Sequence, residues 1–138
     1  MGIYSRVELA PIWALLHGPR FEIGESVSWV STSGQNVGVR PKAGIPAGRL
    51  WLLQSLYVRN EEDVTVDATL LLVDDSGTDH ARFAAPDQHQ TPVPLGPHKD
   101  LTWTGELWVP ASWRVGVRLE NMAGGARCHW RYTAIEMS

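Results

Sequence analysis

Long apolar runs are missing from this 138-residue chain. The longest, residues 9–16, holds Pro11 and follows Glu8, and it falls far short of the roughly 20 apolar residues a bilayer requires. Its flanks lack the charged start and small-residue cleavage site of a secretory signal, so the chain reads as mature from Met1 and made in the cytoplasm. Cysteine is nearly missing too: Cys128 stands alone, which excludes an internal disulfide and an all-cysteine zinc site. A reducing compartment fits that usage, and so does a secreted protein without disulfides. No excess of positive charge exists, the balance being 12 basic against 15 acidic residues and a net charge of −3. Arg59, Arg82, Arg114, Arg118, Arg127 and Arg131 are scattered and form no run, so the electrostatic footprint of a nucleic-acid binder is not there.

The patterns of catalysis are missing in the same way. His17, His80, His89, His98 and His129 include no pair at helical ligand spacing. His129 follows Cys128, but neighbours along a strand point to opposite faces, so the two do not read as a nucleophile and its base. Cys128 reads instead as a small buried apolar residue. Asp74, Asp75 and Asp79 surround Ser76-Gly77. Without the glutamate that closes a calcium loop, they read as a hairpin turn capped by aspartates. There is no glycine-rich phosphate loop and no serine elbow. No cofactor, no metal and no enzyme activity are expected.

What the chain does have is strand patterning. Hydrophobic residues make up 43% of it and charged residues 20%, a globular composition. Residues 49–59 are apolar on both faces, through Leu50, Trp51, Leu52, Leu53, Leu56, Tyr57 and Val58, as in a central strand. Residues 64–73 alternate: Val64, Val66, Ala68, Leu70 and Leu72 face one way, and Thr65, Asp67 and Thr69 the other. Trp113, Val115, Val117 and Leu119 alternate with Arg114, Gly116, Arg118 and Glu120, and Cys128, Trp130 and Tyr132 alternate with His129, Arg131 and Thr133. Shorter strands are expected at residues 37–40, 80–84, 101–103 and 107–109, with Gly105 as a break. Residues 86–97 form a proline-rich loop in which four prolines, Pro86, Pro92, Pro94 and Pro97, oppose continuous pairing. The expectation is an all-β, eight-stranded, jelly-roll-like antiparallel sandwich over residues 36–138. An irregular N-terminal arm over residues 1–35 precedes it. An immunoglobulin-type sandwich is the second choice, without its usual cysteine pair.

The stretch Ile45-Pro46-Ala47-Gly48-Arg49-Leu50-Trp51-Leu52-Leu53, the alternating strand that follows, and Leu101-Thr102-Trp103-Thr104-Gly105-Glu106-Leu107 with Trp113-Arg114-Val115 resemble the small jelly-roll structural proteins of tailed bacteriophages. These are capsid cement or decoration proteins and tail or fibre components. The resemblance covers about residues 36–138 and implies a virion structural protein, found in the virion, that bridges and stabilises major capsid protein subunits as a homo-oligomer, dimer or trimer. It implies no catalytic residue, no nucleic acid and no membrane.

Seven tryptophans add candidate contact residues. Trp13 and Trp29 fall in the expected arm with Ile12, Leu15, Leu16 and Phe21, a set suited to meeting a partner because aromatic residues concentrate at interface centres. Packing of the arm back on its own domain explains the same residues equally well. Trp103 and Trp108 are candidate stacking platforms for a glycan, which would suit a tail- or fibre-associated carbohydrate-binding module. A cupin-type enzyme is a third and weaker reading, for want of spaced histidines and carboxylates.

Overall fold

A computed structural model describes residues 20–77, 79–80 and 92–138. The strands are β1 (Arg20–Val30), β2 (Gly34–Arg40), β3 (Leu50–Arg59), β4 (Val66–Val73), β5 (Asp79–His80), β6 (Val93–Leu95), β7 (Asp100–Val109), β8 (Arg114–Met122) and β9 (Arg127–Met137). One sheet has the order β1-β9-β3-β7; the other has β2-β8-β4, with β5 and β6 both on the far edge of β4. β6 pairs with residues 66–68 of β4 and β5 with residues 72–73, so the two short strands share one position. Every pairing is antiparallel. Counted by position, the layers hold four strands each and the chain crosses repeatedly between them, the double Greek key of a jelly roll. The described residues contain no helix.

The clean alternations build the core. Trp51, Leu53, Leu56 and Val58 of β3 and Cys128, Trp130, Tyr132 and Ala134 of β9 face Val66, Ala68, Leu70 and Leu72 of β4 and Val115, Val117 and Leu119 of β8. The inward set of β3 changes parity because Gln54 is an extra residue: Leu53 registers with Ala134, but Ser55 with Thr133. Such a bulge re-aims the side chains beyond it. Trp130 is fully buried, and its indole N–H has no partner among the described residues. An unpaired buried donor costs about 1–3 kcal/mol. Removing about 200 Å² of indole surface from water contributes roughly 5 kcal/mol, so burial wins at this position.

Several expectations change. The irregular arm does not extend to residue 35: β1 pairs with β9 without interruption from Arg20↔Met137 to Val30↔Arg127. Phe21, Ile23, Val27 and Trp29 already alternate with Glu22, Ser26 and Ser28, a period obscured by Gly24 and Glu25. Gly105 does not end a strand. β7 continues through it by a bulge, Leu53 pairing with Leu107 and Ser55 with Thr104, and the Trp103 ring covers the space a side chain at 105 would take. Within the proline-rich stretch, β6 forms a three-residue ladder around Pro94, at a sheet edge where proline is tolerated. Of the strand expected at residues 80–84, His80 belongs to β5, and residues 81–84 lie outside the described residues.

The polar stretch after β3 is more than a surface turn. Asn60 is fully buried, and its amide donates to the carbonyls of Val64 (2.8 Å), Leu95 (2.9 Å) and Gly96 (3.1 Å). Glu62 is buried as well. It accepts from Ser31 Oγ (2.7 Å) and from the backbone N–H groups of Ala123 (2.8 Å) and Gly124 (3.0 Å). Ser31 Oγ in turn accepts from Ala126 N–H. One carboxylate thus joins the β1–β2, β3–β4 and β8–β9 connections at one end of the sandwich.

Candidate contact surfaces

β1 and β2 are consecutive edge strands, one in each sheet. Three of the four large exposed apolar residues among the described ones lie on them: Phe21 (53% exposed), Val30 (65%) and Val37 (50%); the fourth is Val64 (41%). The edges are not simply sticky. Glu25 sits on the core-side row of β1, in register with Tyr132, and accepts from Arg40 Nε at 3.0 Å. An inward charge of this kind opposes indiscriminate strand addition. Burial pushes the Tyr132 hydroxyl up to about 12, and the Glu25 charge adds to the shift.

The outer face of the β1-β9-β3-β7 sheet has two halves. Toward the Glu62 end it is polar and aromatic. Arg131 lies 4.3 Å from the centre of the Tyr57 ring, and His129 meets the same ring edge-on. Ser28 Oγ lies 3.0 Å from His129 Nδ1, and Arg59 donates to Asp100 at 2.9 Å. Toward the other end the face is apolar: Leu52 and Met137 are buried there, with Leu50, Trp108 and Ile135 half-buried around them. Between the halves a shallow depression of about 440 Å³ is lined by Glu22, Ile23, Gly24, Gln54, Thr133 and Ala134. No group of three potential metal-ligating side chains is found among the described residues.

The residues singled out from the sequence fall in different places. Phe21 is on the exposed edge. Trp29 is half-buried against the core, and its Nε1 donates to Asn36 Oδ1 at 3.3 Å. Asn36 also holds the corner by accepting from Thr32 N–H and donating to Thr32 O. Ile12, Trp13, Leu15 and Leu16 lie outside the described residues. Trp103 and Trp108 are on opposite faces of β7, the first packed on the core and the second in the outer apolar cluster, so they form no shared platform. Asp74 Oδ1 accepts from Ser76 N–H (2.9 Å) and Ser76 Oγ (2.8 Å), and Gly77 N–H reaches Asp74 O, which is the capped turn expected there. His98, expected to be a loop residue, places Nε2 3.1 Å from Asp63 Oδ1.

Cys128 is 1% exposed and faces the core, while His129 lies on the outer face. Burial pushes its thiol up to about 12, with the charge of Glu62 adding to it. A thiol that is neutral at ordinary pH and shielded from solvent is a poor nucleophile. We expect thiol reagents to modify the native protein at least about 100-fold more slowly than the urea-unfolded chain, because opening is required. Comparable rates in the two states would contradict the burial.

The outer apolar cluster and the polar clasp were not foreseen. A signal for the first was present: β3 is apolar on both faces only in its first half, while Ser55, Tyr57 and Arg59 line its outer face later. The clasp had no such signal, because Asn60 and Glu62 look like any polar turn.

The architecture thus defines a jelly-roll β-sandwich whose developed features are surfaces. No protein-family model matches the chain, and no curated protein matches its sequence. Solved structures similar to it include PirA, at 11% identity and a TM-score of 0.45, covering 78% of this chain and 92% of that one. Two others come from infectious bursal disease virus. The Gt-strain structure is 15% identical, with a TM-score of 0.42 and 88% of this chain covered. The structure of derived T=1 particles is 13% identical, with a TM-score of 0.44 and the same coverage. The chain spans about a third of the length of these two viral chains, at 33% and 31%.

Proposed function

We propose that this protein is a virion structural protein, a capsid cement or decoration protein that bridges major capsid protein subunits. The observation that carries this reading is the placement of Phe21, Val30 and Val37 on β1 and β2, the edge strands of the two sheets. These residues leave one side of the sandwich with separated apolar points, while the Glu25–Arg40 ion pair guards the strand edge. Side-chain contact with a neighbour is then favoured over open-ended sheet growth. The motif resemblance to jelly-roll proteins of tailed phages supports the same reading. Repetition on a shell adds avidity, so modest single contacts suffice.

The test is co-sedimentation with shells assembled from the major capsid protein encoded in the same genome. The full chain is expected to pellet with shells, and the double variant Phe21→Glu/Val37→Glu to bind at least about tenfold more weakly, the effect of roughly 1.4 kcal/mol. Undiminished binding by the variant would move the contact off this side. Failure of the unaltered chain to bind, or a genome without a shell protein, would end the reading.

A further inference from the structure

The polar half of the outer face of the β1-β9-β3-β7 sheet holds a depression of about 220 Å³ between β1 and β9. Its lining comes from residues 24–26 and 131–133, which pair in register: Gly24 with Thr133, Glu25 with Tyr132 and Ser26 with Arg131. Glu25 and Tyr132 belong to the core-side row, so Gly24, Ser26, Arg131 and Thr133 form the outward side. Two features open it. Gly24 carries no side chain, and glycine inside a strand often marks the close approach of a ligand. Arg131 leans the other way, toward β3, with its guanidinium carbon 4.3 Å from the centre of the Tyr57 ring. The depression joins the one of about 440 Å³, the two sharing Gly24 and Thr133. We infer that this joined groove binds an acidic saccharide, with Arg131 holding the sugar carboxylate.

Charge carries the choice of ligand. Arg40, Arg49, Arg59 and Arg118 each have a carboxylate oxygen within 3.2 Å. Arg131 is exposed and has no carboxylate partner among the described residues. Stacking on an aromatic ring holds a guanidinium in place and leaves its N–H edge free for a two-point bond to a carboxylate. Across the depression, the Ser26 hydroxyl has no hydrogen-bond partner among the described residues, whereas Ser28 is engaged with His129. Glu22 lines the far end of the groove, four residues from Ser26 and so about 14 Å along β1. Its charge disfavours an acidic group there and sets the direction of the ligand. The remaining polar lining is short, the hydroxyl of Thr133 and the amide of Gln54, and a few placed polar groups of this kind suit sugar hydroxyls. An acidic protein segment fits less well. Protein contacts centre on apolar or aromatic anchors, and none of the large exposed apolar residues, Phe21, Val30, Val37 and Val64, lines the groove. This inference is independent of which partner the β1–β2 side meets.

Amide chemical-shift titration of the full chain tests it, with trimers of galacturonate, of glucuronate and of N-acetylneuraminate as probes. At least one is expected to shift the amides of Ser26, Arg131 and Thr133. Its neutral methyl ester is expected to bind at least about tenfold more weakly, the effect of losing a charge-assisted pair. Arg131→Gln should weaken binding by about the same factor. Arg127→Gln, which removes an exposed cation outside the depression, should weaken it less than about twofold, because salt screens a distant charge. Ser26→Phe fills the depression and keeps the Arg131 charge; it should also cost at least about tenfold, and it decides should Arg131→Gln fail to fold. No shift with any of the three probes would overturn the proposal. So would equal losses in Arg131→Gln and Arg127→Gln, because the attraction would then be diffuse. A tri-glutamate peptide that shifts the same amides with equal or greater affinity would replace the saccharide by an acidic protein segment.

Discussion

Gly116→Ala is expected to lower stability by about 3 kcal/mol or more, beyond the usual range for an added methyl group. A Cβ at this position would run into the carbonyl oxygen of Gly38 and would lie 2.9 Å from Val39 Cα. Those are backbone atoms of β2, so no rotamer change relieves the contact, and β2 must move away from β8. β2 cannot move freely, because a Cβ at Gly38 would itself lie 2.6 Å from Trp130 Nε1. The two glycines, Gly116 in register with Val39 and Gly38 with Val117, let an edge strand sit tightly against β8 on one side and over a buried indole on the other. Urea unfolding should show a lower midpoint with an unchanged slope, and heating a midpoint lowered by roughly 10 °C. Gly96→Ala is the control: its Cβ would meet only Lys99 Cγ at 3.6 Å, and a change within about 0.5 kcal/mol is expected. Equal losses in the two variants would refute the steric account.

Glu62→Ala is expected to cost about 3 kcal/mol or more by a different mechanism. It leaves the Ser31 hydroxyl and the Ala123 and Gly124 N–H groups without their acceptor, and each unsatisfied group costs about 1–3 kcal/mol when buried. Glu62→Gln should recover only part of this, since its NH₂ would face groups that are themselves donors. The same carboxylate sets a pH dependence. Burial alone would push its pKa up, but the hydrogen bonds from Ser31, Ala123 and Gly124 outweigh it and hold the pKa below the ordinary value. The unfolded chain therefore takes up this proton first as pH falls. Glu62's contribution is fully present above roughly pH 4.5, near the unperturbed glutamate pKa, and is lost as pH drops through the folded value. Denaturant midpoints from pH 7 to 3 should fall more steeply for the unaltered protein than for Glu62→Ala. Parallel curves would show that the clasp does not depend on its charge.

The strands of the core were legible in the sequence because period-two alternation requires only one buried face. β4, β8 and β9 carry that pattern in Val66 to Leu72, Val115 to Leu119 and Cys128 to Tyr132. Together with the turn residues between them, this determined an all-β sandwich and a buried, inert Cys128. Only the tertiary structure decided the rest. β1 is stable because β9 supplies a partner at all 11 positions, which offsets the weak local preference of Gly24 and Glu25. Glu62 became a clasp because three connections meet at it, from residues 31, 60–62 and 123–126, and Asn60 ties in a fourth at residues 95–96; polar residues reveal their partners only when distant segments meet. The two apolar faces of early β3 were visible in the chain, but only the sheet order and the entry point of β1 separated the core side from a second surface. Side-chain periodicity is local, whereas convergence of loops and the side on which a segment enters depend on contacts far apart in sequence.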